Sequence, residues 1–493
     1  MASQHPDHAG RPYWNNEEFI STNQETKECY LMYSELGIPE YKWDWEGKLV
    51  DESVIERLWG EHFDYFKKNQ LGKEKFLTFR LPNPKVETEF RLGRAFMGIL
   101  SAAGLAKQVG INCPPIFEVI LPMTESAEEM MAIQEAFEEI ASLKHPLYNF
   151  ENQMRQIEVI PLFEQVEIIY HSDKIIDKYL TLHRRKFGAK PPYLRPYLAR
   201  SDPALNSGLV PTVLAIKVAL SQFRDFEERK GINLYPIIGT GSLPFRGGLT
   251  PETTESFLQE YGGIRTALIQ SAFRYDFEKD KVIKAIKRLN TALPKTRTKK
   301  VSPAEKKKIP ELITNFETYY RRTIEEVAPL INHVAGYLPR RRERVLHIGL
   351  FGYSRGVGRV KLPRAIGFTA ALYSLGIPPE LIGTGHGLRQ AARLKKLGLV
   401  EKYYHGLKSD LLRAGRFLNK ENLRKLASRS SGWESVIKDV KEIEKYLGES
   451  LSPVTDEEVE HQKITSRIYQ KMKSDTPVGK DIQRAAVLRK SLG

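Results

Sequence analysis

Residues 237–248 read IIGTGSLPFRGG: a short apolar run over 234–238 leads into Gly239, Gly241, Gly247 and Gly248, with one arginine, Arg246, held before the Gly-Gly pair. Glycines at this density let backbone N–H groups approach an anion, because no Cβ blocks left-handed or close-approach conformations. The arginine adds a planar fork of donors suited to phosphate or carboxylate. A plain structural turn accounts for the same residues equally well, so their meaning depends on the rest of the chain.

Other charged residues recur at the ends of short β-rich runs. Arg80 falls near the end of FLTFRL, Glu164 follows VIPLF, Asp202 follows YLARS and Arg355 follows LFGYS. The runs themselves lie at 76–81, 116–121, 157–163, 197–199, 234–238 and 345–351, and their apolar character without strict alternation suits strands covered on both faces. Amphipathic helical patterns fall between and beyond them, at 126–143, 166–186, 210–230 and 364–375. Strand alternating with helix this often predicts an α/β chain folded as a (β/α)₈ TIM-type barrel rather than a doubly wound sheet. The predicted barrel core spans about residues 70–400 of a single domain covering 1–493, with additional helices and a helical, lysine-rich C-terminal part over about 410–493. In such a barrel the C-terminal strand ends share one face, so Arg80, Glu164, Asp202, Arg246 and Arg355 would converge.

Bulk properties narrow the class. At 493 residues with 41% hydrophobic and 28% charged residues, the chain is long enough for a sizeable core and has globular composition. The net charge of +15 comes from 76 basic against 61 acidic residues, interleaved almost everywhere. That balance fits focusing of a small anion into a basic cleft better than nucleic-acid binding, for which no stacking motif is present. Cys29 and Cys113 are far apart and lack metal-ligand spacing, as expected of neutral thiols in a reducing cytoplasm. No apolar run reaches membrane-spanning length and MASQHPDHAG lacks the apolar core of a signal peptide, so no membrane partner is expected. The basic run at 295–308 reads as an exposed mobile loop, and RRRER at 340–344 as a solvated helix end or loop.

Several separated motifs resemble one family, phosphoenolpyruvate carboxylase in its short archaeal-type form, in family order over nearly the whole chain. SQHPD at 3–7 resembles the family's TxHP element, and PLFEQVE at 161–167 its PLFE segment. RSDPALNSG at 200–208 is similar to YSDSxKDAG, the loop at 239–248 to FHGRGGxxGRGG, and GYSRGVGRVKLPRAIGF at 352–368 to SRP…LRAIPW. The resemblance implies a catalytic role for His5, Arg246 and Arg355. It implies substrate binding by Arg80, Arg246, Gly247, Gly248, Arg355 and Arg364, and Mg²⁺ or Mn²⁺ held by Glu164 and Asp202. The implied substrates are phosphoenolpyruvate and bicarbonate, the implied assembly a homotetramer, and the implied closing loop 352–358. The residue types agree with the chemistry: a highly charged anion needs several cations, and a hard divalent ion takes one or two carboxylates plus substrate oxygens.

Three positions depart from the pattern. Thr240 stands at the first arginine of the glycine loop, Leu205 at the lysine of SDSxKDAG, and Lys490 at the asparagine of a terminal LRNTG-like segment. In longer family members these belong partly to a dicarboxylate inhibitory site, so weak inhibition by aspartate or malate is expected here. Two alternatives stay open from sequence: another barrel enzyme acting on pyruvate enolate, and a basic helical RNA-binding protein.

Overall fold

The computed structural model describes the chain except residues 88–89, 112, 146–147, 150–153, 344–354, 358–359 and 475. Eight strands form one all-parallel sheet in sequence order: β1 (Ala2–Ser3), β2 (Glu40–Asp44), β3 (Phe76–Arg80), β4 (Glu118–Leu121), β5 (Glu158–Phe163), β6 (Tyr197–Leu198), β7 (Ile237–Gly239) and β8 (Thr266–Leu268). A parallel bridge between Ala2 and Ile269, with Ser3 N donating to Ile269 O at 3.1 Å, joins the first strand to the last. The fold is therefore a (β/α)₈ barrel, as expected.

Each strand is followed by helix. Glu25–Ser34, Val54–Lys68, Arg91–Gln108, Ala127–Ala141, Ser172–Phe187, Leu209–Lys230, Thr254–Glu260 and Lys279–Ala292 succeed β1 to β8 in turn. Local signals set their bounds: Ser126 caps its helix by accepting from Glu129 N at 3.3 Å, and Gly231, at φ +61°, ends the long Leu209–Lys230 helix. Inside the barrel, Met1, Ile120, Ile160, Leu162, Tyr197, Ala199, Ile237 and Leu268 pack as a separate apolar cluster. The main core lies between strands and helices.

The barrel strands occupy residues 2–268 rather than beginning near residue 70. Three were not legible as apolar runs: β1 and β8 are only two and three residues long, and β2 (EYKWD) carries three charges yet is buried throughout. The strand expected at 345–351 lies outside the described residues. Beyond the barrel, Ile309–Ala335 packs on Leu209–Lys230 and against Ala365–Ser374, Thr384–Arg393 and Ser431–Leu447, so the C-terminal helices share the barrel's core. The basic run at 295–308 is a strap, not a mobile loop. Val301 is buried with its N–H on Ser221 Oγ at 2.8 Å, and Lys300 reaches Asp225 and Glu228 of the same helix. Among the described residues, no single helix is long and apolar enough to cross a membrane.

Candidate active site

A cavity of about 520 Å³ opens at the C-terminal mouth of the barrel, and His5, Arg80, Glu164, Asp202, Arg246 and Arg364 all line it. The strand ends deliver them. His5 follows β1, Arg80 ends β3, Glu164 follows β5, Asp202 lies in the first turn of Ser201–Ser207 after β6, and Arg246 sits in the loop after β7. Arg364 reaches in from the residue before helix Ala365–Ser374.

His5 is fixed from both sides. Its Nδ1 is hydrogen-bonded to Ser3 Oγ at 2.9 Å, and its carbonyl accepts from Ser271 Oγ at 2.7 Å. Ser271 Oγ also accepts from the N–H groups of Asp7 (2.9 Å) and His8 (3.0 Å), so one hydroxyl pins the turn that presents the imidazole. Asp7, part of the SQHPD motif but assigned no role from sequence, accepts from Ala272 N at 2.8 Å and from Arg246 at 3.1 Å.

Arg246 is the most constrained of the cations, with 1% exposure. Its Nε donates to Ser201 Oγ at 3.1 Å, Nη1 to Asp7 and to the carbonyl end of Gly493, and Nη2 to Gln270 Oε1. A guanidinium has five N–H donors, so these contacts leave one for a substrate. Burial lowers the Arg246 pKa and raises that of Asp7, each against the pull of the other's charge. The loop is clamped around this arginine. Arg200 donates to the carbonyls of Phe245 and Pro244, and Phe245 N donates to buried Glu380 at 2.8 Å.

Three of the loop glycines serve that clamp. Gly241, Gly247 and Gly248 N–H groups donate to Arg246 O, Pro244 O and Leu243 O, within the loop. Gly247 and Gly248, at φ +121° and +69°, are absent from the cavity wall. A Cβ on Gly241 would stand 2.9 Å from Arg246 Cζ, which explains glycine there. The amides of Gly247 and Gly248 are thus engaged within the loop, and the two residues form its turn.

Arg80 is bracketed by two carboxylates, Asp44 Oδ1 at 2.8 Å and Glu46 Oε2 at 2.6 Å, and Arg364 reaches the same Glu46 at 3.5 Å. Burial opposes the Arg80 charge, but Asp44, Glu46 and then Glu164 outweigh it and raise its pKa. Glu164 is buried and accepts from Met123 N at 2.9 Å. Met123, after β4, holds the uncommon φ of +50° for a non-glycine residue, so the fourth strand end contributes positioning at some backbone cost. Glu164 and Asp202 thus come from consecutive strand ends onto one cavity. Among the described residues no group of three or more His, Cys, Asp and Glu stands together as a metal cage. Two carboxylates beside room for substrate oxygens are the donor set a hard divalent ion accepts.

Arg355 opens β9 (Arg355–Val357), which pairs antiparallel with β10 (Val360–Leu362) and packs on helix Ser201–Ser207. Its side chain lies outside the described residues, as does most of the expected closing loop at 352–358. Within RRRER, Arg341 and Arg342 are buried rather than solvated: Arg342 pairs with Glu25 at 3.0 Å and Glu28 at 2.7 Å, and Arg341 donates to the His8 carbonyl, whereas Arg340 and Glu343 are exposed and residue 344 lies outside the described residues. Sequence reasoning also missed Lys42, Gln270, Ser201 and Arg200. The signal for Lys42 was available: charges at 40, 42, 44 and 46 alternate with Tyr41, Trp43 and Trp45, the period of a strand with one polar face.

The family model described as phosphoenolpyruvate carboxylase matches residues 1–493. The chain is 38% identical over 498 residues to the phosphoenolpyruvate carboxylase of Leuconostoc mesenteroides, covering 100% of this chain and 98% of that one. It is 37% identical over 518 residues to that of Metallosphaera sedula, covering 100% and 99%. With that of Pyrococcus abyssi it shares 39% identity over 455 residues, covering 89% and 93%.

Proposed function

This chain belongs to the phosphoenolpyruvate carboxylase family, and from that premise we propose which groups of the barrel mouth carry each step. The reaction joins phosphoenolpyruvate and bicarbonate to give oxaloacetate and inorganic phosphate. The strongest support for the assignment of roles is that His5, Arg80, Glu164, Asp202, Arg246 and Arg364, scattered over most of the sequence, line a single cavity.

Phosphoenolpyruvate enters with its phosphate and carboxylate toward Arg80, Arg364 and Arg355, with the remaining N–H of Arg246 completing the donor set. Glu164 and Asp202 would hold Mg²⁺ or Mn²⁺, which would supply neutralising charge for the transfer. A bicarbonate oxygen attacks phosphorus. The new O–P bond forms as the bond from phosphorus to the enol oxygen breaks, giving carboxyphosphate and the enolate of pyruvate. The arginines stabilise the charge that moves onto the equatorial and leaving oxygens. Carboxyphosphate then splits to CO₂ and phosphate beside His5, whose imidazole handles the proton or steadies the departing phosphate. The enolate carbon attacks CO₂ and closes the C–C bond. Water must be kept out, because protonation of the enolate gives pyruvate instead. The reading includes closure by the segment at 352–358, a homotetramer and a cytoplasmic location, all supported by the resemblance.

The deciding experiment combines Mg²⁺, phosphoenolpyruvate and labelled bicarbonate with the full chain. Acid-stable label in a four-carbon acid is expected, and phosphate release that does not depend on bicarbonate overturns the reading.

Regulation should be simple. Thr240 spends its hydroxyl on Leu268 O at 2.7 Å, Leu205 is fully buried, and Lys490 points out to Glu252 at 3.4 Å. The hydroxyl of Thr240 and the ammonium of Lys490 are therefore engaged elsewhere, and Leu205 offers no side-chain donor. We expect oxaloacetate formation to change little with millimolar-range aspartate or malate; strong suppression in the same coupled assay contradicts this.

A further inference from the structure

The side chains of β2 that alternate inward are Glu40, Lys42 and Asp44, and the middle one reaches the cavity floor. Lys42 has no solvent exposure, yet it lines the cavity. Its Nζ lies 3.3 Å from Asp44 Oδ1 and 5.8 Å from the ring centroid of Tyr197, across the barrel on β6. That ion pair lacks hydrogen-bond geometry, and Nζ has no hydrogen-bond partner among the described residues. Arg80 Nη2, on the adjacent strand and also buried, is in the same condition. A native interior rarely leaves two charged donors unsatisfied side by side, and at a cavity wall such donors await a ligand.

Charge selects the ligand. The cations Lys42 and Arg80 face the anions Asp44 and Glu46, and Glu46 is shared with Arg364 at 3.5 Å, so the net charge of this corner is small. Beside Lys42, where Asp44 already offsets one cation, so small a net charge suits a small monoanion better than a phosphate ester of several charges. Depth agrees: the Arg364 side chain is 38% exposed, whereas that of Lys42, on the same cavity, has no exposure. We propose that Lys42 is a further substrate-contacting residue, holding bicarbonate at the cavity floor through an ammonium–oxygen hydrogen bond. This rests on the carboxylase reading above. Arg80, between the two substrates, then presents Nη2 where the bicarbonate oxygen meets phosphorus. Burial, followed by the neighbouring Arg80, lowers the Lys42 pKa to about 8 against the pull of Asp44.

Lys42→Met and Lys42→Arg separate the possibilities. In Lys42→Met the KM for bicarbonate is expected to rise about 10–100-fold, the loss that follows removal of a hydrogen bond to a charged group, with the KM for phosphoenolpyruvate little changed. Lys42→Arg, which keeps the charge, should recover part of that loss. An equal rise in both KM values, or an unchanged bicarbonate KM, overturns the proposal. Wild-type enzyme treated with acetic anhydride supplies a readout that needs no variant to fold. Acetylation of Lys42, followed by peptide mass spectrometry, should proceed through the cavity without bicarbonate and fall in its presence; a Lys42 that is unmodified even without bicarbonate, or modified equally with it, overturns the proposal. A wild-type chain that forms no oxaloacetate sinks the carboxylase reading instead, while the protection experiment still decides the fate of Lys42.

Discussion

Replacing His5 by asparagine is expected to abolish oxaloacetate formation while leaving phosphoenolpyruvate binding nearly intact. The imidazole sits at the end of β1 on the cavity wall, and its backbone is held by Ser271 rather than by its own ring. Asparagine can keep the contact to Ser3 Oγ, so the loss should fall on chemistry and not on the turn. Removing a general acid or base costs about 10²–10⁴-fold. If His5 acts on carboxyphosphate, the first transfer survives, and the variant should release pyruvate and phosphate only when bicarbonate is present. Following both products with and without bicarbonate tests this. Normal carboxylation removes His5 from the chemistry, and loss of all phosphate release moves it to the first step.

Arg246→Ala is expected to lose about 10²–10³-fold in turnover, the effect of deleting a preorganised donor. It should also be less stable by about 3–5 kcal/mol, because Asp7 would remain buried without its cation. The Asp7→Asn/Arg246→Ala double variant distinguishes the two effects. Removing the stranded charge should restore much of the thermal stability but none of the activity. A single variant that unfolds at the wild-type temperature and retains turnover would show the arginine to be a mere filler of the loop.

Much of this architecture could be read from residues alone, and the misses share a cause. Strands β3, β4 and β5 were visible because they are covered on both faces and present continuous apolar runs. Strand β2 was hidden because its inward face is polar: Glu40 pairs with Arg195 at 2.8 Å across the barrel floor, and Asp44 pairs with Arg80. Charged residues read as surface unless their partners are known, and those partners lie far along the chain. The same reason misplaced Arg341 and Arg342, whose acceptors are near the N-terminus. At the site, residue identity and strand-end position found Arg80, Glu164, Asp202 and Arg246. What they could not reveal was saturation. That Arg246 spends four of its donor contacts on Ser201, Asp7, Gly493 and Gln270 depends on segments separated by up to 247 positions.

One of those segments has a consequence for how the catalyst comes into being. Leu492 N donates to Asp7 O at 2.7 Å, Gly493 docks on Arg246, and a Cβ on Gly493 would stand 2.2 Å from Ile366 O. The eight-stranded ring can close once residue 269 is made, yet its mouth is unfinished until residues 492–493 emerge from the ribosome. A nascent chain with a formed ring should therefore be inert, and a chain cut short before residue 492 should lose turnover while keeping its ring.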